Sequence, residues 1–497
     1  MKSLIIKRYE MDRPTFNSLQ YLTKVKPHLI RKDPFLIDDF VYDTLSTRFG
    51  KETVDEFVGY TRSYYTLEGH YYNLWKYDRI IQRKPQDPLL DLAIMKAKYA
   101  FKLPRPVQSY RWDDLASVPF IPSSSAGWGF VGKKGDPGNH AAAISKAVLC
   151  LNWWLEELNK PVTTFRYHPD LAWTRTQIGT VEDPKIRNVW GKSFDNIILE
   201  GITAAPLIDA YRVSNTPMPL GINYYKKLPS IIQRSIYDGI TYKQGVGIDL
   251  SSFDSSVMPW LIEECFDILE DNIIFSDEMA YKSFQYSKHF FIHTPVVMPD
   301  GRLWLKHLGV PSGSYFTQLV DSIANYIATI YVQLCIYGQS FETHVLGDDS
   351  IFGVPVEFGD IHLNDYIPHY ERLGFTLHPD KSITTVRTEE LTFLGHCCRG
   401  ARVDRETAGM MRLALFPEHP VAGPAHSINR IKGLLLDSAL NSWPVIHLHD
   451  LMMTRWRNEL HGGADRFVTT EKDWLVSVLN FTLPPSHINT VKIFTLT

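Results

Sequence analysis

The sequence predicts an α+β fold centred on an antiparallel sheet, and three observations carry that prediction. An apolar run enters Gly347-Asp348-Asp349 and another leaves it, between His344 and Val354. That is the pattern of a tight β-hairpin with acids at its tip. Val246, Ile248 and Leu250, interleaved with Gly245 and Gly247, read as a buried strand. Gly309-Val310-Pro311-Ser312-Gly313 then runs into a long apolar helix that reaches about Tyr337.

The chain has 497 residues, enough for several lobes and a large core. Its net charge of −3 gives no bulk signal for a polyanion. Any nucleic acid would need cations concentrated in a channel, with acids elsewhere. The same balance, without a basic tail, argues against a packaging protein. Cys150, Cys265, Cys335, Cys397 and Cys398 are odd in number and lack paired ligand spacing. They point to reduced thiols and away from structural zinc. No apolar run is expected to reach the ~20 residues that span a bilayer, and the opening Met1 to Lys7 is too short in its apolar part for a secretion signal.

The elements follow in order. Residues 1 to about 100 are mixed helical sequence without evident chemistry. Pro122 to Gly135 is rich in small and hydroxyl residues, with Ser124, Ser125, Gly127, Lys133 and Lys134. A phosphate-lined strand can pass over such a segment; a flexible surface loop is the plain alternative. In Asp183 to Lys192, Lys185 and Arg187 alternate with apolar residues, as on a strand with both cations on one face. That face suits a triphosphate, or equally a solvated edge.

Asp249 falls near the end of the buried strand, where a carboxylate is expensive unless paired or metal-bound. Asp254 follows shortly after and can approach the same cavity, or cap the next segment. Residues 261 to 308 read as an insertion, helical and acidic at first, with a β-like part at Phe290 to Val297. On the long helix, Thr317, Asp321 and Asn325 recur every four residues and make one polar stripe. A polar stripe on a buried helix needs partners, such as the hydroxyls of a sugar or other groups of the helix itself. Past the hairpin, Lys381 can reach a leaving group as a proton donor. Residues from about 400 onward look like a separate helical lobe, with Arg430, Lys432, Arg455 and Arg457 as candidate backbone contacts.

Adjacent carboxylates favour a hard divalent cation. Asp249 and Asp348, with Asp349, are the expected ligands of two Mg²⁺ ions about 4 Å apart, for which Mn²⁺ can substitute. Lys185 and Arg187 are expected to stabilise charge developing on transferred phosphates.

The ordered series Lys185/Arg187, Asp249-x4-Asp254, Ser312-Gly313-x3-Thr317, Gly347-Asp348-Asp349, Lys381 and Phe393-Leu394-Gly395 resembles the motifs of viral RNA-dependent RNA polymerases. It covers roughly residues 120 to 400. Pro311 to Gln318, the Ser350 after the acid pair and the Ser-rich segment at 123 to 127 most resemble the partitiviruses, with picobirnaviruses next. Both have segmented double-stranded RNA genomes.

The resemblance implies a closed right hand. Its fingers would be 1–205 and 261–308, its palm 206–260 and 309–400, and its thumb 401–497. It implies template and product RNA, ribonucleoside triphosphates and a viral capsid protein as partners, no membrane, and a place inside the virion in the host cytoplasm. It also implies that Asp254 and Ser312, beside Gly313 and Thr317, test for the ribose 2′-hydroxyl. One departure stands out. Many positive-strand RNA virus polymerases carry Asn where this chain has Asp321, and an ionised acid cannot donate a hydrogen bond. A reverse transcriptase shares the palm but would place an aromatic residue at position 254.

Overall fold

The computed structural model describes residues 17–459, apart from 29–36, 56–58, 63–65, 158–166, 181–185, 223–224, 226, 419 and 440. Lys185 therefore lies outside the described residues.

The predicted central sheet is present, with four strands in the order Thr343–Leu346, Asp349–Pro355, Lys243–Ile248, Ile383–Thr385, all antiparallel. The hairpin closes with Leu346 opposite Asp349, so Gly347 and Asp348 form a two-residue turn. Gly347 has φ +66°, a left-handed conformation that a side chain would strain. One face of the sheet buries Val246, Ile248, Phe352 and Val354 in the same core as Ile323, Ile327 and Tyr331 of the long helix Thr317–Tyr337. Each fully buried large apolar side chain contributes about 2 kcal/mol, so this face locks sheet to helix.

That helix corrects one expectation. Thr317–Tyr337 is long and apolar enough to cross a bilayer, yet 83% of its most apolar window is buried inside the protein. Its hydrophobicity serves the core.

The 261–308 segment contributes the helices Pro259–Glu270 and Glu278–Ile292 and the strands Thr294–Val297 and Arg302–Lys306. Phe290 to Ile292 thus end a helix, and the strand begins at Thr294. Their aromatic rings pack inward, Phe290 against Tyr286 and Phe291 against Phe266, which a helical turn allows as readily as a strand. The two strands join a five-stranded sheet in the order Leu19–Lys24, Arg302–Lys306, Thr294–Val297, Asp170–Thr176, Ile186–Gly191.

The helices Thr407–Leu415, Pro424–Asp437 and Trp443–Arg455 form a further lobe. Their core includes Val41 and Leu45 of the helix Asp39–Phe49. The N-terminal residues expected in the fingers are therefore divided, with Leu19–Lys24 in the five-stranded sheet and Asp39–Phe49 in this lobe. Buried Asp38 ties the start of the helix Asp39–Phe49 to the helix Pro424–Asp437, accepting from Ser427 Oγ (2.8 Å) and pairing with Arg430. Arg430 also donates to the carbonyls of Leu413 and Ala414, Lys432 is buried, and Arg455 pairs with Asp43. Arg430 and Lys432 thus build the lobe, while Arg455 and Arg457 are exposed on it.

Candidate active site

Asp249 lies one residue beyond the strand Lys243–Ile248, and its side chain is exposed. The expectation of a carboxylate inside the strand is corrected: the strand ends just before the acid and delivers it to the surface of a cleft. Its backbone is held, the N–H donating to Ser382 Oγ (2.9 Å) and the carbonyl accepting from His378 N–H (2.9 Å). This brings the turn carrying exposed Lys381 beside Asp249.

Asp348 and Asp349 are exposed at the hairpin tip. Partial loss of water, then repulsion from Asp348 and Asp249, pushes Asp349 up to about 7, and Arg187 opposes the shift. Acids from two elements thus share one field, with Arg187 on its edge. Among the described residues, no group of three or more His, Cys, Asp or Glu side chains is gathered closely enough to hold a metal by itself.

Asp254 sits in a short turn after the strand, half-buried. Ser312 Oγ donates a hydrogen bond to its Oδ2. Burial raises Asp254 above the ordinary carboxylate range, with Asp348 adding to the shift and Ser312 and Arg187 opposing it.

The polar stripe divides by function. Thr317 Oγ1 donates to the Pro311 carbonyl (2.8 Å) and so closes the loop before the helix. Asn325 Nδ2 donates to the Gly347 carbonyl (3.0 Å). Ser322 Oγ accepts the Gly347 N–H (2.9 Å) and donates to the Gln318 carbonyl (2.6 Å). Both backbone groups of Gly347 are thereby clamped to the buried helix, and the acids follow. Ser322 escaped the sequence reading because it is one step off the four-residue stripe.

Asp321 is 5% exposed, and its Oδ1 has no hydrogen-bond partner. Burial, then Asp254 and Asp348, raise it well above the ordinary range. The shift favours the neutral carboxyl, and in that form it donates as an amide does. This answers the difficulty posed by an acid at that position.

Gly313 presses against the strand Ile186–Gly191, where a Cβ would lie 1.7 Å from the Trp190 carbonyl oxygen. Its place in the sugar site is therefore structural. The 122–135 segment is an ordered loop, closed by Ala126 N–H to the Gly132 carbonyl (3.0 Å) and Lys134 N–H to the Ser124 carbonyl (2.9 Å). Lys134 is buried, its Nζ donating to Ser124 Oγ (2.7 Å) and the Ser125 carbonyl (2.9 Å). It braces the loop, as Ser124 does, and is corrected as an RNA contact. At Gly127 a Cβ would lie 2.8 Å from the Lys192 carbonyl oxygen, which docks the loop on its neighbour. Ser125 and Lys133 are exposed.

A family model described as viral RNA-dependent RNA polymerase matches residues 45–442. The chain belongs to that family. Over 156 residues the chain is 31% identical to the RNA-directed RNA polymerase of Cryptosporidium parvum virus 1 (strain KSU-1), covering 30% of this chain and 29% of the relative. Over 252 residues it is 27% identical to that of White clover cryptic virus 1, covering 45% and 40%. The matches thus span less than half the length of these relatives.

Among solved structures, the RNA-dependent RNA polymerase of a human picobirnavirus superposes with a TM-score of 0.63 at 15% identity, covering 92% of this chain and 91% of that one. The Sicinivirus 3Dpol polymerase gives 0.70 at 13%, covering 93% and 100%. The α+β polymerase fold expected from the motif series is the fold of this chain.

Two outcomes follow from the site. Ser322→Ala leaves the Gly347 N–H without its acceptor and is expected to cost about 1–3 kcal/mol of stability. Steady-state kinetics should show kcat falling with little change in nucleotide KM. In metal-free protein, a folded-state pKa raised above the unfolded value means Asp321 favours folding below about pH 4, and that contribution is lost as pH rises. The melting temperature of Asp321→Asn relative to wild type should therefore climb in chelator as pH rises above the ordinary carboxylate range, and a flat difference would show that Asp321 ionises freely.

Proposed function

We propose that this polymerase copies RNA templates from ribonucleoside triphosphates, and that it replicates and transcribes the segmented double-stranded RNA genome of a partitivirus-like virus. The observation that carries the reading is the convergence of Asp249 with the Asp348–Asp349 tip in one electrostatic field, beside the Ser312–Asp254 pair.

Asp249, Asp348 and Asp349 would hold two Mg²⁺ ions, or Mn²⁺ in their place. When bound, such ions would supply activation of the attacking 3′-hydroxyl and charge neutralisation at the leaving pyrophosphate. Asp254 and Ser312 recognise the ribose 2′-hydroxyl, and Asp321 lies beside the same sugar. Arg187, with Lys185, balances charge on the triphosphate. Lys381 supplies a proton to the leaving group. Ser125 and Lys133 meet the template backbone. Positioning provides most of the rate, since the protein forms no covalent bond to substrate.

In this reading the fingers, palm and thumb are the 1–205 and 261–308, the 206–260 and 309–400, and the 401–497 segments, with Asp39–Phe49 lent to the thumb. The enzyme works inside the capsid, in the host cytoplasm, against a capsid protein and away from membranes.

The test is nucleotide incorporation by purified protein on single-stranded RNA, with Mg²⁺ and four ribonucleoside triphosphates. Asp348→Asn is expected to lose synthesis by several orders of magnitude while binding RNA as wild type does. Equal product from both proteins would refute the assignment.

A further inference from the structure

We infer that Glu200 is a positioning residue for ribose selection, its carboxylate holding the Pro311–Phe316 loop so that Ser312 meets Asp254. This rests on the reading of Ser312 and Asp254 as the sugar selector.

Glu200 is on the helix Phe194–Val213, far from the cleft in sequence and 4% exposed. Its Oε2 accepts the Tyr315 backbone N–H at 2.8 Å, and its Oε1 is 3.5 Å from Lys192 Nζ. Lys192, also buried, stands 3.3 Å from Asp170 Oδ2 at the start of the strand Asp170–Thr176. Three buried charges from separate elements thus converge, and one carboxylate oxygen leaves that cluster to hold the loop.

Burying such a cluster costs desolvation that an apolar replacement would avoid. Stability alone is therefore a poor reason for it, and the geometry it imposes is a better one. The two oxygens of Glu200 have different partners, so the carboxylate plane is fixed and the Tyr315 amide with it.

The loop has further anchors besides Glu200, among them the Val310 N–H donating to the Asp254 carbonyl (2.7 Å). Gly313 abuts the Trp190 carbonyl. Tyr315 Oη donates to the Pro119 carbonyl (2.8 Å), and Thr317 Oγ1 donates to the Pro311 carbonyl. At the loop entrance, buried Lys306 Nζ donates to the Gly309 carbonyl (2.7 Å). Ser312 lies between these anchors, three residues before the amide that Glu200 holds. A shift of that amide is passed to the Ser312 hydroxyl and so to its hydrogen bond with Asp254.

The experiment measures kcat/KM for a ribonucleotide and its deoxy counterpart with the full chain, in wild type, Glu200→Ala, Glu200→Asp, Glu200→Gln and Asp254→Ala. Glu200→Ala should lower ribose discrimination by about tenfold, through a rise in ribonucleotide KM greater than any fall in kcat. Glu200→Asp, one methylene short of the Tyr315 amide, should do the same. Glu200→Gln keeps an acceptor oxygen and should restore most of the discrimination. Melting temperatures identify any variant that fails to fold, and Glu200→Asp decides the matter if Glu200→Ala does. If Asp254→Ala relaxes discrimination while Glu200→Ala and Glu200→Asp leave it unchanged, the inference is overturned and the selector stands. If Asp254→Ala leaves discrimination unchanged, the selector reading falls and the inference with it.

Discussion

Like-charged carboxylates repel, and the repulsion grows as water is withdrawn from between them. The cleft of this protein gathers Asp249, Asp254, Asp321, Asp348 and Asp349 nonetheless, and the perturbed acids report one another's charge. Such a cluster persists only on a scaffold that cannot relax. Here the scaffold is a sheet locked to a buried helix, with the hairpin tip clamped to that helix through both backbone groups of Gly347. The same repulsion makes the cleft receptive to cations and to the cationic edge that Arg187 provides.

The acids divide by environment. Asp249, Asp348 and Asp349 face water and suit a cation. Asp254 is half-buried against a serine hydroxyl, and Asp321 is buried with an unmatched oxygen. Burial drives the last toward the neutral form, so one residue type supplies both charge and a hydrogen-bond donor in a single cleft. The helix Thr317–Tyr337 serves all of these, closing the loop through Thr317, carrying Asp321 and holding the hairpin through Ser322 and Asn325.

Much of this was legible in the sequence where a local pattern determines the structure. The hairpin declared itself because glycine at a turn between apolar runs has few other uses. The long helix and the strand Ile186–Gly191 followed from periodicity. The failures are tertiary. Asp249 was expected inside its strand, and the strand ends one residue earlier, a boundary that no period fixes. Phe290 to Ile292 suit strand and buried helix alike. Lys134 looked like surface charge because its partners, Ser124 Oγ and a carbonyl, come together only when the loop closes. Glu200, Lys192 and Asp170 carry no motif, and only packing unites them.

The central claim is that acids from two separate elements act as one cation-holding set. Direct titration of Mn²⁺ by electron paramagnetic resonance, in wild type, Asp249→Asn and Asp348→Asn, tests it without requiring turnover. Either substitution is expected to weaken Mn²⁺ binding by about tenfold or more, although one residue follows the strand Lys243–Ile248 and the other lies in the hairpin turn. Wild-type binding by Asp249→Asn, with loss confined to Asp348→Asn, would contradict it and leave the hairpin tip as the whole site.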